Sequence, residues 1–277
     1  MQFLPTDGVA IPRLGLGTFR LQGLACQQAV ESALALGYRH IDTAAMYENE
    51  EAVGAAVSAS GLPRESVFVA SKVWHDQLTP DGIRRAFDKS LQALGLTHLD
   101  LYMVHWPARN MDLVAVMSAM DDLRRQGGTR AIGVCNFNLP MLRRVVLEMR
   151  VPLACVQVEY HPFLGQSKLL SFVREHGIAL TAYAPLAQGR AATDPTLARI
   201  GAKHGVPASP ASQAAIAWLL GQDNVIAIPK AQRRESQQAN LDAMKLQLDD
   251  EDRAAIAGLP KDQRYVQPSF APEWDAE

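Results

Sequence analysis

The chain has 277 residues, 48% hydrophobic and 20% charged, an ordinary globular composition long enough to bury a sizeable core. Its 27 Lys and Arg against 29 Asp and Glu leave a net charge of −2, which excludes a strong field for nucleic acid or an anionic membrane. The start "MQFLPTDGVAIPRLGLG" has no basic segment leading into an unbroken apolar stretch, and no run reaches the roughly 18 apolar residues of a membrane helix. Three cysteines, Cys26, Cys135 and Cys155, lack CxxC or Cys/His spacing and fit free thiols in a reducing compartment. The expectation is a soluble, cytoplasmic, monomeric chain with no metal site and no membrane or nucleic-acid partner.

Residues 1–12, with the turn "TDG", read as a small hairpin ahead of the first strand, plugging the bottom of the fold. Eight short β-branched or Leu-rich runs come next, at 13–17, 39–42, 67–73, 99–105, 130–134, 154–159, 178–183 and 225–229. Amphipathic segments alternate with them near 25–36, 48–58, 80–94, 111–126, 139–149, 167–175, 195–204, 210–221 and 234–244. Thr79–Pro80, Asp194–Pro195 and Ser209–Pro210 each put a capping side chain before a proline at the first helical position. The runs are apolar on both faces, as in a parallel sheet covered by helices.

Eight strand–helix units in about 250 residues predict an α/β fold of the (β/α)8 TIM-barrel type, with an N-terminal β-hairpin and extra helices, as one domain over 1–277. One helix between the seventh and eighth strands is extra, 248–259 adds another, and the tail from 260 shows no periodicity. A doubly wound open sheet fits less well, because "GLGTFR" (15–20) lacks the third glycine of a dinucleotide fingerprint and no helix follows at once.

In such a barrel, functional groups gather at the C-terminal ends of the strands. The second strand ends at Asp42, with Tyr47 in the following loop; the third presents Lys72 and the fourth His105. Each has an ordinary explanation: Asp42 could cap the helix near Glu48, Lys72 could reach to solvent, and His105 could be a half-buried polar residue. Together they make chemical sense at one rim. Lys72 would lower the pKa of the Tyr47 phenol, Asp42 would keep Lys72 charged, and His105 could orient a carbonyl oxygen for Tyr47 to protonate.

The segments "LGLGT", "HIDTAAMYENE", "SKVW", "LYMVHWP", "IGVCNF", "QVEYHP", "AYAPLA" and "IPKA", in this order and spacing, resemble the aldo-keto reductase superfamily over essentially the whole chain. Within it, the likeness is to small bacterial reductases of the 2,5-diketo-D-gluconate reductase B and methylglyoxal reductase type. The resemblance implies NADPH as hydride donor and the catalytic set Asp42, Tyr47, Lys72 and His105, with Tyr47 as acid. It further implies Gly17 and Thr18 beneath the nicotinamide, Asn136 and Gln157 on its carboxamide, and Tyr183 stacked on its ring. Leu186 and Gln188 would cross the pyrophosphate, and Lys230, Arg233 and Asn240 would hold the adenosine end. Phe19, Trp74 and Trp106 would wall the substrate pocket.

This sequence departs from the family pattern in three places. Cys135 replaces a serine that hydrogen-bonds the carboxamide. Ala231 and Ser236 replace partners of the 2′-phosphate, leaving that task to Arg233 and Arg234. A short loop after the fourth strand and a short tail predict an open pocket for small carbonyl substrates. Two other functions stay in view: a class I aldolase with Lys72 as Schiff base, and a non-catalytic barrel subunit that senses the cofactor.

Overall fold

The eight apolar runs lie side by side because both of their faces are almost wholly buried, Arg130 near the start of its strand being an exposed exception. The computed structural model describes residues 2–6 and 8–275. An antiparallel hairpin opens the chain, β1 (Phe3–Pro5) pairing with β2 (Ala10–Pro12). Asp7, at the centre of the expected turn, lies outside the described residues. The parallel strands are β3 (Leu16–Gly17), β4 (His40–Asp42), β5 (Phe68–Val73), β6 (Leu99–Val104), β7 (Thr129–Cys135), β8 (Leu153–Glu159), β9 (Ala179–Tyr183) and β10 (Val225–Ala227). They form one eight-stranded sheet in sequence order from β3 to β10. The sheet curls until its edges meet: Leu14 bridges Ala227, and the Gly15 N–H donates to the Ala227 carbonyl at 2.9 Å. β10 ends at Ala227, and two residues on Pro229 has no N–H to offer but still accepts the Gly17 N–H at 3.3 Å.

The helices are α1 (Gly23–Leu36), α2 (Glu50–Ala59), α3 (Pro80–Leu94), α4 (Leu113–Arg125), α5 (Leu139–Arg143), α6 (Ser167–Glu175), α7 (Pro195–Lys203), α8 (Pro210–Leu220), α9 (Arg234–Asp242) and α10 (Asp250–Ala257). Thr79 and Asp194 cap as their sequence predicts, accepting from the N–H groups of Gly82 and Leu197. Ser209 does not. Its backbone is left-handed at φ 51° and its side chain caps nothing, while Gln213 Nε2 spans the start of α8 by donating to the Ala208 carbonyl. The helix expected over 139–149 widens into a π-helical turn at 144–148. None of the helices is long and apolar enough to cross a membrane among the described residues.

Two apolar layers hold the sheet. One lies between its outer face and the helices, with Val30, Val53, Phe87, Met117 and Val173 buried against strand residues. The other fills the inside of the curl, where Phe68, Leu101, Ala154, Ala179 and Ile226 meet Val9 and Ile11 of the hairpin. The hairpin therefore closes the N-terminal end of the sheet, as its sequence position predicts. The C-terminal ends are left to the loops.

Candidate active site

Asp42 ends β4 and lies opposite Ala70, whereas Lys72 stands two residues further along β5, opposite Met103. The strand ends do not share a register row. The long Lys72 side chain closes that gap, donating from Nζ to Asp42 Oδ1 at 2.5 Å and to the Thr43 carbonyl at 2.8 Å. The pair is dry: the Lys72 side chain is 0% exposed and that of Asp42 3%. Burial is the largest single influence and would lower the ammonium, but Asp42 first, with Tyr47 and Cys135 behind it, together outweigh burial and hold Lys72 above its ordinary pKa. Asp42 Oδ2 accepts a further N–H from Gln157 at 2.8 Å.

Tyr47 is placed by a turn rather than a strand. Residues 45–47 make one 3-10 turn, and Glu48 follows in the left-handed region at φ 53°. Asn49 fastens the turn: its amide donates to the carbonyls of Thr18 and Leu21, and its Oδ1 accepts from the Thr43 hydroxyl. Gln22 donates to the Tyr47 carbonyl at 2.7 Å. The phenol then lies 3.5 Å from His105 Nε2, with Lys72 Nζ 5.1 Å from the ring centre and Phe19 packed against it. Burial pushes the phenol up to about 12, and the Lys72 ammonium draws it back only part of the way. The lowered phenol expected from the sequence is thus corrected: desolvation wins over the neighbouring cation. His105, at the end of β6, is held well below its usual value, first by burial and then by Lys72 and His75, so it is neutral at pH 7. Its ring meets Trp74 and Tyr47 edge-on.

These groups sit at the inner end of a cavity of about 800 Å³. Of the residues singled out in the sequence, Gly17, Phe19, Asp42, Tyr47, Trp74, His105, Trp106, Asn136, Gln157, Tyr183, Leu186, Gln188 and Lys230 line it. Thr18 and Lys72 are buried behind the wall, the Thr18 hydroxyl donating to the Asp42 carbonyl. Arg233, at the start of α9, is exposed and off the wall, and Asn240 is buried beside the Tyr38 hydroxyl. Cys135 turns into the sheet interior with its Sγ 3.8 Å from Met103 Sδ, so it makes no part of the lining. Asn136 uses both ends of its amide, donating to the His105 carbonyl and accepting from the Tyr183 hydroxyl. Gln157 commits only its N–H to Asp42.

Backbone strain concentrates here. Arg20, Asn136, Ala184 and Gln188 line the cavity with left-handed φ values of 62°, 62°, 46° and 54°, at a cost of about 1 kcal/mol or more each for residues other than glycine. At Gly17 a side chain cannot be accommodated, since an added Cβ would meet the Ile228 carbonyl oxygen at 2.7 Å. Gly17 thus lets its strand pack closely against residue 228, where the edges of the sheet meet.

A sequence model of the Aldo/keto reductase family matches residues 13–260. The chain belongs to this family. Methylglyoxal reductase DkgB of Escherichia coli O157:H7 is 42% identical over 272 residues, 96% of this chain and 100% of the relative. An aldo-keto reductase of Mycolicibacterium smegmatis is 39% identical over 259 residues, 93% of each chain. A crystal structure described as a candidate 2,5-diketo-D-gluconic acid reductase B superposes with TM-score 0.95 at 38% identity, covering 100% of this chain and 98% of that one. The resemblance read from the ordered segments is therefore correct, and this aldo-keto reductase is an oxidoreductase.

Sequence reasoning missed one side of the site. The tail, expected to leave the pocket open, crosses its mouth: Tyr265, Val266, Gln267, Pro268 and Phe270 all line the cavity. Phe270 meets Trp74 and Trp106 edge-on at 5.8 and 5.6 Å, and Trp274 packs on Trp106. Its cluster of aromatic residues was the available signal. Asn49 was missed as well, although it stands inside the segment "HIDTAAMYENE".

Proposed function

We propose that this aldo-keto reductase is an NADPH-dependent carbonyl reductase of small aldehydes, 2-oxoaldehydes and keto-sugar acids, with Tyr47 as general acid. The observation that carries this reading is the convergence of Tyr47, His105, Lys72 and Asp42 on one end of an aromatic-walled cavity. The relatives' names, methylglyoxal reductase and 2,5-diketo-D-gluconic acid reductase, support the substrate class. The meeting of β3 with β10 supports a closed (β/α)8 barrel over a single domain, 1–277. A cytoplasmic monomer completes the reading, in keeping with three buried free cysteines.

The residues present fit a nicotinamide dinucleotide. Gln157 and Asn136 bring amides to the inner end of the cavity, beside the Tyr183 ring. Tyr183, Asn136 and Gln157 would hold the nicotinamide, with Gly17 and Thr18 beneath it. Leu186 and Gln188 would take the pyrophosphate, and Lys230, Arg233 and Asn240 the adenosine end. A reduced nicotinamide, when bound, supplies the hydride. The chain supplies the proton and the positioning. With its phenol up at about 12, Tyr47 is protonated at neutral pH, as an acid must be before it acts. Neutral His105 presents one ring nitrogen toward the same point and can orient a carbonyl oxygen there. Lys72, fixed by Asp42, places a positive charge beside the phenolate that remains after transfer.

Lys72 does not favour the aldolase alternative. A Schiff base needs a neutral amine, and this one is buried against a carboxylate that keeps it charged. The complete constellation likewise argues against a cofactor sensor without turnover. The test is NADPH consumption against a panel of methylglyoxal, 2,5-diketo-D-gluconate, aromatic aldehydes and steroids, with borohydride trapping on Lys72 in parallel. Small dicarbonyls should lead in kcat/KM. A steroid preferred over methylglyoxal by more than about tenfold, or a trapped adduct on Lys72, would sink the proposal.

A further inference from the structure

The tail that walls the cavity is fastened at both ends. Before the wall, the Gln263 N–H donates to the Phe163 carbonyl and the Gly165 N–H to the Lys261 carbonyl, at 3.0 and 2.8 Å. Beyond it, Asp275 accepts from the Leu139 N–H at 2.8 Å, and Asn138 donates to the Glu273 carbonyl. The wall itself begins at Tyr265, and there one carboxylate takes over.

Glu159 is the last residue of β8, two places beyond Gln157, and is fully buried. It does not line the cavity. Its Oε1 accepts the Tyr265 N–H at 2.8 Å and its Oε2 accepts the Val266 N–H at 2.9 Å. Arg264 approaches Oε2 at 3.9 Å. His161 donates as well, Nε2 to Oε1 at 3.0 Å. His161 Nδ1 accepts the Phe163 N–H, which leaves Nε2 as the ring nitrogen that donates to Glu159. That ring also stacks on Tyr265, 5.4 Å between centres. Burying a carboxylate is costly unless its lone pairs are met by hydrogen bonds. Here those bonds run to the tail and to the histidine beneath it rather than to the strand ladder.

We propose that Glu159 is a positioning residue for substrate selectivity: it pins residues 264–266 so that Phe270 closes the pocket to a size suited to small carbonyls. This rests on the carbonyl-reductase reading above.

Glu159→Gln keeps size and polarity, but its amide must turn one N–H toward a backbone N–H. Hydrogen exchange in the peptide spanning 264–270 should accelerate about tenfold or more, the equivalent of one charge-assisted hydrogen bond, while β4 and β5 stay protected. KM for methylglyoxal should rise about five- to tenfold with kcat within about twofold, as for loss of binding shared by ground and transition states. The advantage of methylglyoxal over a bulky aromatic aldehyde should shrink in proportion, and the Kd for NADPH should hold. Val266→Pro removes one donor from the tail side and should give the same acceleration of exchange over 264–270; because Val266 itself lines the cavity, exchange and not KM is its readout, and it decides the matter if Glu159→Gln does not fold. The double variant should be no worse than the worse single one. Unchanged exchange over 264–270, a fall in kcat at constant KM, or weakened NADPH binding would each overturn the proposal. A wild type that reduces no carbonyl would instead sink the reading of function, with accelerated exchange in Glu159→Gln still showing the pinning.

Discussion

The two ends of the cavity are built from different materials. At the inner end, Lys72 and Asp42 are locked together at 2.5 Å with almost no water. At the outer end Lys230 is exposed on the wall, and beyond it Arg233 and Arg234 lie exposed off the wall around the start of α9. The formal charges are alike, but their surroundings are not. A buried charge is held by its partner and is barely screened, whereas an exposed one is weakened by every added ion. On the proposed reading, chemistry resting on the buried pair would be rigid and insensitive to salt, and a cofactor preference resting on the exposed cations would be adjustable.

The largest expected effect breaks the dry end. Lys72→Met leaves the Asp42 carboxylate buried with only the Gln157 amide for company, and should cost about 3–5 kcal/mol of stability. Denaturant unfolding measures it. Replacing both partners, Lys72→Met with Asp42→Leu, should recover much of that loss, because no orphan charge remains. Arg233→Ala at the wet end should stay within about 0.5 kcal/mol. A loss below about 1 kcal/mol for Lys72→Met would mean that the pair is better solvated than the structure shows.

Next comes the acid. Tyr47→Phe should lower turnover by at least ~10²-fold, the contribution of a positioned general acid, with cofactor affinity nearly intact. A fall of less than about tenfold would assign the proton to another group. In wild type, phenolate absorbance assigned by difference against Tyr47→Phe should show no ionisation near the ordinary value of 10.0, because burial pushes this phenol up to about 12. Lys72→Met should move it higher still, since the ammonium is what draws it down.

The contrast also explains what could be read in the sequence. Asp42, Lys72 and His105 stand at strand ends, where a change from apolar run to titratable residue marks position directly. The sign of the Tyr47 shift was not legible, because it depends on how much water the folded loops exclude. Tyr47 itself is set by Asn49 and Gln22 through bonds that no periodicity reports. The tail gave no pattern because it follows neither period. Its main anchor is Glu159, more than a hundred residues earlier, which binds backbone N–H groups that any residue could supply. Ser209 misled for a related reason: a cap depends on the backbone angle at its own position, and there φ is 51°.

At the wet end the effects are smaller. Ala231 and Ser236 offer no charge, so an NADPH preference must rest on Lys230, Arg233 and Arg234. Wild type should prefer NADPH over NADH, and Arg233→Ala should weaken NADPH about tenfold, one charge-assisted hydrogen bond discounted for exposure, with little change for NADH. Added salt should erode the preference while leaving the Tyr47-dependent step alone. Tryptophan quenching with both cofactors is the measurement, and equal affinities in wild type would show that these cations do not read the phosphate.

The smallest effect returns to the dry end and concerns pH. His105 is held well below its ordinary value of 6.5, burial being the first cause and Lys72 the second. An unfolded chain therefore binds a proton on this residue at pH values where the folded chain does not. Stability follows the proton difference: its contribution is complete above about pH 6.5 and drains away as pH falls toward the folded value. At pH 6 the loss from one such group is roughly 0.8 kcal/mol. His40, buried and likewise lowered, adds a parallel loss that serves as the internal baseline. Replacing His105 by Gln should remove its share of the slope between pH 7 and 6 and leave that of His40. Lys230, Arg233 and Arg234 do not change charge in this range, so Arg233→Ala should leave the slope as it was. If His105→Gln unfolds with the wild-type slope, the folded and unfolded chains bind equal protons at this residue, its pKa is not lowered, and a histidine kept neutral by burial to orient the carbonyl has to be abandoned.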